Sequence, residues 1–428
     1  MLSAAHDILE EHHPKGNGSE TKFAADLSKN STKRECNPIS TGAVLLADVL
    51  PTLIIKMLAP LFLHRVPYGI RMIVVVLSQI VSYIVVASST TVAVSLLGVV
   101  FASIGCGIGE VTFLSFAAHF DKNVLSTWSS GTGGAGVGGA LIYAALTDKN
   151  LANLSPRVTL YIQLFVPVMF AAFYWLVMVA PQSVHQVRLT ECGTYVVPVT
   201  DKTAQNTVSD QLPSGSDTDE RECLLPQPSD VSQLDETRFG YADVSEVNTA
   251  TTNLSAREKL RLIPPLLKFM IPLSLVYVGE YFINQGLHEL IYFKGISLSI
   301  EAQYRWYQVL YQIGVLISRS SVNLVHIPSR YLPVLTALQL INVAIFFTDA
   351  LYFYIPSVWI IFILILYEGL LGGSAYVNTF YQIRQEVDER YVEWSLGFAS
   401  MGDSMGVVVA AFSAMPAHNW ICAQPLYK

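Results

Sequence analysis

Acidic side chains lie inside stretches of this sequence that are apolar enough to cross a lipid bilayer. Glu368 lies within the apolar run at residues 359–380, and Glu110 follows a glycine-rich apolar run. Other apolar segments contain Glu280, Asp403 and Asp48. Lys56 follows Asp48 by two helical turns. A charge at the centre of a membrane helix costs about 2.5–3.5 kcal/mol, so it usually faces a protein interior or a water-filled cavity. Such groups bind solutes, pair with ions or transfer protons, and the pattern predicts a transporter.

Polar residues also recur at the spacing that places side chains on one face of a helix. Four predicted helices carry such stripes: Glu280, Asn284 and His288; Tyr304, Gln308, Gln312 and Arg319; Glu368, Gly372, Tyr376 and Thr379; and Asp48, Thr52 and Lys56. Lipid cannot satisfy the hydrogen bonds of these groups, so each stripe should face a cavity or another helix.

Each charged residue in these stripes has a structural interpretation beside the functional one. Arg319 lies near the end of its predicted helix. Its functional interpretation is a solute ligand, and its structural interpretations are an ion-pair partner or a cation that extends to the membrane surface. Glu280 takes part in transport or pairs with a cation to join two helices. Glu110 and Glu368 suit a structural gate as well as a proton site. We expect His288, at the end of its stripe, to be exposed.

A glycine-rich segment offers a nucleotide-binding pattern that its surroundings do not support. Gly131, Gly133 and Gly136 match GxGxxG, but a dinucleotide site needs a preceding strand, and none is predicted. Small residues here favour close helix packing or a bend. The cysteines show no CxxC or metal-ligand spacing, so we predict no metal and no cofactor. The sequence has no HExxH motif and no paired histidines within a span, so we predict no enzymatic activity. Cys36 and Cys422 lie in the terminal segments, where a disulfide between them is an open alternative.

The composition is that of a polytopic membrane protein. Of 428 residues, 52% are hydrophobic and 14% are charged, against about 25% charged in globular proteins. The net charge of −7 lies largely outside the apolar segments, and nothing indicates a nucleic-acid partner. We predict an all-α protein in the lipid bilayer, with ten spans of about 20 residues each. They are 41–63, 71–88, 92–120, 129–146, 160–180, 264–287, 304–322, 331–350, 358–380 and 394–415.

The spans divide into an N-terminal half at 41–180 and a C-terminal half at 264–416. This division predicts two pseudo-symmetric halves with a solute site between them near the membrane midplane. Glu110 lies in the third span of its half, whereas Glu368 lies in the fourth span of the other. The two positions correspond if the first half lacks a leading span, and residues 1–11 resemble the end of such a helix.

The segments outside the spans predict the orientation. The loop at 181–263 is polar, with little fixed structure expected. Basic residues in the short loops favour the cytosol for it, but five basic residues in segment 1–40 nearly even the count, so two other signals decide the orientation. In the loop, Glu220, Leu224 and Leu225 form an acidic dileucine signal that cytosolic clathrin adaptors would read. Segment 1–40 is then luminal, which suits its glycosylation sequons at Asn17 and Asn30, and 417–428 form a C-terminal tail.

Several segments together resemble one known family. VLLADVLPTLIIKMLAPL, VVFASIGCGIGEVTFLSF, WSSGTGGAGVGGALIY, EYFINQGLHEL, QYRWYQVLYQIGV and LYEGLLGGSAYVNTF closely resemble the battenin family of lysosomal membrane proteins. The resemblance implies a major-facilitator-like fold, residence in lysosomes and late endosomes, and clearance of glycerophosphodiesters. Family members carry a tail and a first span before the segment that resembles MLSAAHDIL. The C-terminal prenylation box of mammalian members is interrupted here after Cys422.

A glycerophosphodiester offers one phosphate and several hydroxyl groups, which calls for cations and for amide or hydroxyl partners. The predicted substrate ligands are Lys56, Glu280, Asn284, Gln285, Gln308, Gln312, Arg319 and Tyr376. Candidates for proton uptake or gating are Asp48, Glu110, Glu368 and Asp403. We therefore predict a lysosomal exporter that works by alternating access. In an extended form of this hypothesis, export is coupled to proton movement. The alternative is a membrane regulator of lysosomal pH, arginine handling, autophagy and vesicle traffic that does not transport.

Overall fold

The computed structural model describes residues 42–63, 66–120, 123–148, 151–179, 181, 255–294, 296 and 298–425, which form helices and short connections. The helices are α1 (Gly42–Phe62), α2 (Tyr68–Ser88), α3 (Val92–Ala117), α4 (Asn123–Thr147), α5 (Pro156–Ile162), α6 (Phe165–Ala172), α7 (Ala256–Phe282), α8 (Ile300–Ser320), α9 (Leu332–Tyr352), α10 (Val358–Glu386), α11 (Glu389–Ala399) and α12 (Met401–Ala423). A π-helical turn at Phe173–Val177 continues α6. A second π turn at Ile283–Leu287 and a 3-10 turn at His288–Leu290 continue α7.

Helix α7 begins well before the predicted boundary at residue 264. Ser255 accepts a hydrogen bond from the Glu258 amide, while the Glu258 carboxylate accepts one from the Ser255 amide, which is a capping box. These two bonds satisfy amides that would otherwise lack partners at the helix start. Pro264 and Pro265 lie inside the helix, so the predicted span at 264–287 starts too late and the predicted loop 181–263 extends too far.

Two predicted spans are interrupted. The span at 160–180 consists of α5, a break at Gln163 and Leu164, and then α6 with its π turn. The span at 394–415 consists of α11 and α12, which meet at Ser400, and α12 continues to Ala423. The boundary of the C-terminal half at 416 is therefore too early, because most of the predicted tail is helical.

Eight candidate membrane spans satisfy both length and hydropathy among the described residues. They correspond to α1, α2, α3, α5 with α6, α7, α9, α10, and α11 with α12. Helices α4 and α8 are the remaining predicted spans. They are long enough to cross, but they are rich in glycine or in polar side chains. The total of ten spans stays a prediction.

Among the described residues, the two most extensive contacts between the halves are made by two pairs of helices. Helix α1 packs against α12, and α4 packs against α8. A pseudo-twofold relation between the halves would match α1 with α8, α3 with α10 and α4 with α12. Under this relation the α1–α12 contact corresponds to the α8–α4 contact, and the α1–α3 contact corresponds to the α8–α10 contact. Helices α3 and α10, which carry Glu110 and Glu368, thus hold equivalent positions in two pseudo-symmetric halves.

Short connections between long helices make consecutive helices antiparallel. The start of α8 lies beside the end of α4, where Trp306 Nε1 donates to Asp148 Oδ2 over 3.4 Å. We call this end of the bundle the cavity end, and the opposite end, where α1, α3 and α8 finish, the tie end. Apolar side chains such as Leu176, Val179 and Ile363 are exposed on the outside of the bundle, which suits contact with lipid.

Several predicted features lie outside the described residues. They are the sequons at Asn17 and Asn30, the dileucine signal at Glu220, Leu224 and Leu225, Cys36, and most of the loop at 181–263. Cys422 is disulfide-bonded, and its partner is likewise outside the described residues.

Candidate functional site

A cavity of about 340 Å³ lies between the two halves. Helices α1 to α5 of the first half and α7 and α8 of the second contribute to its wall, mostly from the cavity end of the bundle. The polar lining side chains are Asp48, Gln79, Tyr83, Cys106, Tyr143, Gln163, Tyr281, Asn284, Gln285, Gln308, Tyr311 and Gln312. The wall therefore offers amide and hydroxyl groups from both halves to a small hydrophilic solute.

Four of the predicted substrate ligands line this cavity, namely Asn284, Gln285, Gln308 and Gln312. The other four, Lys56, Glu280, Arg319 and Tyr376, are not among the lining residues and lie in contacts between helices described below. The two groups lie at different heights along the helices. Gln312 and Arg319, for example, are both on α8 but about 10 Å apart along its axis.

Two lining residues connect the cavity to a buried carboxyl group. Gln308 Nε2 donates to Asn284 Oδ1 over 3.3 Å, and Asn284 Nδ2 donates to Glu368 Oε1 over 2.8 Å. Glu368 is fully buried, and its Oε2 lies 3.5 Å from His288 Nε2 without a hydrogen bond. A solute that competes for the amide of Asn284 would therefore alter the surroundings of Glu368.

His288 is buried, which corrects the expectation that it is exposed. The π turn at Ile283–Leu287 lies between α7 and His288, and a π turn shifts the following residues around the helix axis. As a result His288 faces Glu368, Tyr307 and Phe346. The neighbouring Glu289 pairs with His418 of α12 over 3.3 Å.

At the tie end, buried charged side chains join the two halves. Lys56 Nζ lies 2.8 Å from Glu110 Oε2 in its own half and 3.0 Å from Asp403 Oδ1 in the other half. It also donates to the Ser400 carbonyl oxygen over 2.8 Å, where α11 and α12 meet. Tyr376 of α10 donates to Glu110 Oε1 over 3.2 Å. We call these contacts the Lys56 ties.

Arg319 makes a further contact between the halves. Its Nη1 donates to Thr132 Oγ1 of α4 over 2.7 Å, and its Nη2 donates to Tyr277 OH of α7 over 3.1 Å. The guanidinium carbon lies 4.0 Å from the centre of the Tyr376 ring, a cation–π contact. Within the described part of the chain, Arg319 has no carboxylate at ion-pair distance, and its Nε has no hydrogen-bond partner. Its Nε–H is therefore a buried donor without an acceptor among the described residues.

Glu280 lies between the cavity and Arg319. Its Oε1 accepts a hydrogen bond from Tyr311 OH of α8, and its Oε2 has no hydrogen-bond partner. Gly372 of α10 lies directly against this carboxyl group, where a Cβ atom would overlap it. Glycine is required at that position because the carboxyl group fills the space of a side chain.

The GxGxxG segment forms part of α4 and serves packing. A Cβ on Gly133 would lie 2.9 Å from Leu316 Cα, and one on Gly136 would overlap the Gln312 side chain. Both glycines thus allow α4 and α8 to approach closely, as predicted. Gly131 differs, since nothing lies within 4 Å of a Cβ built there. Over the residues that the structure covers, no group of three His, Cys, Asp or Glu could hold a metal ion.

Sequence reasoning did not identify several residues of the cavity and of the contacts at the tie end. They are Gln79, Tyr83, Cys106, Tyr143, Gln163 and Tyr281 in the wall, and Thr132, Tyr277, Tyr311 and Ser400 in the contacts. One signal was present, because Tyr277 and Tyr281 lie four residues apart and continue to Gln285 at the same spacing.

The chain is similar to known proteins along most of its length. Residues 1–424 match the family described as CLN3 protein. The chain is 42% identical to battenin of Canis lupus familiaris over 426 residues, which cover 99% of this chain and 87% of that protein. It is 36% identical to protein btn-1 of Neurospora crassa over 401 residues, which cover 90% of this chain and 82% of that protein.

The fold is similar to that of the human organic anion transporter MFSD10 (TETRAN), whose crystal structure it matches with a TM-score of 0.55. The match has 13% sequence identity and covers 99% of this chain and 89% of the other. At that identity the likeness concerns the fold alone. It confirms the predicted all-α, major-facilitator-like architecture with two helical halves.

Proposed function

The chain belongs to the CLN3 protein family, and from that premise we propose that it exports small phosphodiester solutes from lysosomes and late endosomes. The solutes are glycerophosphodiesters, which remain when phospholipids lose their acyl chains. The fold is that of a multi-pass membrane protein built like a major-facilitator transporter. The family resemblance of the sequence supports the substrate class and the location.

One observation carries the proposal, namely that a polar cavity and a set of charged contacts lie at opposite ends of the same interface between the halves. The cavity wall combines side chains of both halves. The Lys56 ties and Arg319 close the interface at the tie end. This arrangement suits alternating access, in which the halves rock around a central site. In the predicted orientation, the cavity end faces the lumen and the tie end faces the cytosol.

The residues divide into two proposed roles. Asn284, Gln285, Gln308 and Gln312 bind the hydroxyl groups of the solute, and Arg319 binds its phosphate, for which a guanidinium group is well suited. Glu280 and Glu368 are the proposed proton carriers, since each has a carboxyl oxygen without a hydrogen-bond partner. Lys56, Glu110, Asp403 and Tyr376 form the gate. In this proposal Lys56 has a gating role rather than a ligand role, because two carboxylates already surround it.

Uptake of labelled glycerophosphodiesters into sealed vesicles that contain the purified protein tests the proposal, with and without a pH gradient. We expect flux above that of empty vesicles, and a steeper dependence on the gradient if transport is linked to protons. Arg319→Ala and Glu280→Gln should abolish flux while the protein remains folded. The matched controls are Arg330→Ala and Glu389→Gln, which change exposed residues away from the cavity. Absence of protein-dependent flux under every condition would contradict export.

The lysosomal location has a separate test. Replacing Leu224 and Leu225 by alanine should move the protein from lysosomes towards the cell surface, because adaptors would no longer bind the dileucine signal. Fluorescence microscopy of tagged full-length protein measures this shift. An unchanged distribution would show that another segment directs sorting.

A further inference from the structure

The cavity wall carries an unexpected charge for a transporter of phosphodiesters. Asp48 is the one charged side chain that the structure places in the lining. The nearest cations, Lys56 and Arg319, belong to the tie end instead. Lys56 lies two helical turns beyond Asp48 on α1, about 12 Å further along the axis. A solute with only negative charge would meet a carboxylate at cavity level, and no cation is among the described residues that line the wall.

Aromatic rings share the cavity wall with this carboxylate. Tyr83 and Tyr143 pack in one apolar cluster with Val44 of α1, one turn before Asp48. Asp48 is also near enough to Tyr281 and to Cys106 to interact with them electrostatically. All of these tyrosines line the cavity. A carboxylate and several tyrosine rings in the wall of one cavity are the chemistry that recognises an ammonium group, through charge and through cation–π contacts.

The opposite charge lies along the same interface towards the tie end. Among the described residues Arg319 has no carboxylate at ion-pair distance, Glu280 is near enough to interact with it electrostatically, and the Nε of Arg319 has no hydrogen-bond acceptor. It lies two turns beyond Gln312, which lines the cavity. The interface is therefore dipolar, with a carboxylate in the wall and an available guanidinium group deeper towards the tie end. A solute with separated positive and negative groups would match both.

We propose that the cavity selects glycerophosphodiesters whose headgroup ends in an ammonium or quaternary ammonium group. Asp48 is the counter-ion of that group, Tyr83, Tyr143 and Tyr281 surround it, and the phosphate points towards Arg319. Phosphodiesters with an uncharged polyol headgroup keep a net negative charge, and the same carboxylate repels them. This inference rests on the proposed function and specifies which members of the substrate class are preferred.

Competition against labelled glycerophosphocholine uptake tests the preference. Unlabelled glycerophosphocholine and glycerophosphoethanolamine should inhibit at concentrations at least tenfold lower than glycerophosphoglycerol or glycerophosphoinositol. Asp48→Asn should weaken inhibition by the two ammonium compounds about tenfold and leave the two polyol compounds unchanged or stronger. Asp48→Glu should retain the preference. Tyr83→Phe keeps a ring and should retain it too, whereas Tyr83→Leu should weaken it.

A binding measurement separates a loss of selectivity from a loss of folding. Cys106 is a free thiol in the cavity wall, so a bound solute should slow its reaction with a small methanethiosulfonate reagent. Glycerophosphocholine should protect Cys106 at lower concentration than glycerophosphoglycerol in the wild type. In Asp48→Asn this difference should disappear, while the reaction without solute stays at its wild-type rate if the variant is folded. Cys106→Ser supplies the background from other cysteines.

Different results overturn different statements. If the polyol compounds compete and protect as well as the ammonium compounds, the selectivity inference is wrong and phosphodiester export stands. If Asp48→Asn leaves the preference intact, Asp48 is not the counter-ion. If no phosphodiester is transported and none protects Cys106, the proposed function itself fails.

Discussion

Lys56 is the residue at which the buried contacts between the halves converge. Its ammonium group is 1% exposed and lies between two carboxylates and a backbone carbonyl from three helical segments. A buried charge is stable only when its partners are present, and removal of one partner leaves the others desolvated without compensation. Lys56 thus links the stability of the bundle to the closure of the tie end.

Lys56→Met should destabilise the protein by about 3–5 kcal/mol, because Glu110 and Asp403 then remain buried without their cation. Thermal unfolding of the purified protein in detergent measures the loss. The control is the triple variant Lys56→Met, Glu110→Gln and Asp403→Asn, which removes all three charges and should recover much of the stability. An unaltered melting temperature in Lys56→Met would show that the Lys56 ties contribute little.

Tyr311→Phe should destabilise the protein by about 1–3 kcal/mol, since Glu280 loses the hydroxyl that donates to its Oε1. The matched control is Tyr281→Phe, which removes a cavity-lining hydroxyl one helix away. In a double-mutant cycle, Tyr311→Phe should cost less in a Glu280→Gln background than in the wild type. Additive losses in the cycle would mean that the two side chains do not interact.

The sequence predicted which faces of the helices carry these residues but not which residues face each other. The spacing of Asp48, Thr52 and Lys56 on one face is local information. The partner Asp403 is 347 positions away, and its identity depends on how each helix is rotated against its neighbours. His288 shows the same limit, because the π turn before it changes the register that regular α-helical spacing assumes.

At the level of helices, α8 and α10 cross with their backbones in close contact. A Cβ on Gly314 would overlap the Leu366 carbonyl oxygen, and one on Gly369 would overlap the Tyr311 carbonyl oxygen. The two backbones therefore touch, as small residues allow in membrane helices. This crossing sets the position of Tyr311 and, through it, of Glu280.

Gly369→Ala should destabilise the protein by at least about 1–3 kcal/mol, because the added methyl group forces α8 and α10 apart. Gly138→Ala is the matched control, since nothing lies within 4 Å of a Cβ at Gly138. Alanine favours a helix over glycine by up to about 1 kcal/mol, so the control should be equal to or slightly more stable than the wild type. Equal melting temperatures for both variants would contradict the close crossing.

The start of α7 was predictable from the sequence, but the predicted span began at 264 and missed it. The start at Ala256 follows from the capping pair Ser255 and Glu258. The break at Ser400 has no such local signal. Its carbonyl oxygen accepts a hydrogen bond from Lys56, a contact that depends on tertiary packing.

For the whole molecule, the cavity and the Lys56 ties predict which side of the membrane reaches Cys106. A membrane-impermeant thiol reagent should label Cys106 from the luminal side, because the tie end is closed. Lys56→Met should increase labelling from the cytosolic side, since the contact that closes this end is weakened. Sealed vesicles of known orientation allow both measurements, with Cys106→Ser as the background. Labelling of the wild type from the cytosolic side alone would reverse the orientation.

The modest hydropathy of α4 and α8 has a consequence for how the protein is made. Helix α4 is rich in glycine, α8 is rich in polar side chains, and neither is among the eight candidate spans, so neither has a strong tendency to leave the translocon for lipid by itself. Helix α4 is synthesised long before α8, and it lacks its partner until residue 320 has emerged from the ribosome. During that interval the nascent chain depends on the earlier helices or on membrane chaperones to hold α4. Substitutions that slow the pairing of α4 with α8 should therefore reduce the yield of mature protein through degradation in the endoplasmic reticulum, even when the finished cavity is unchanged.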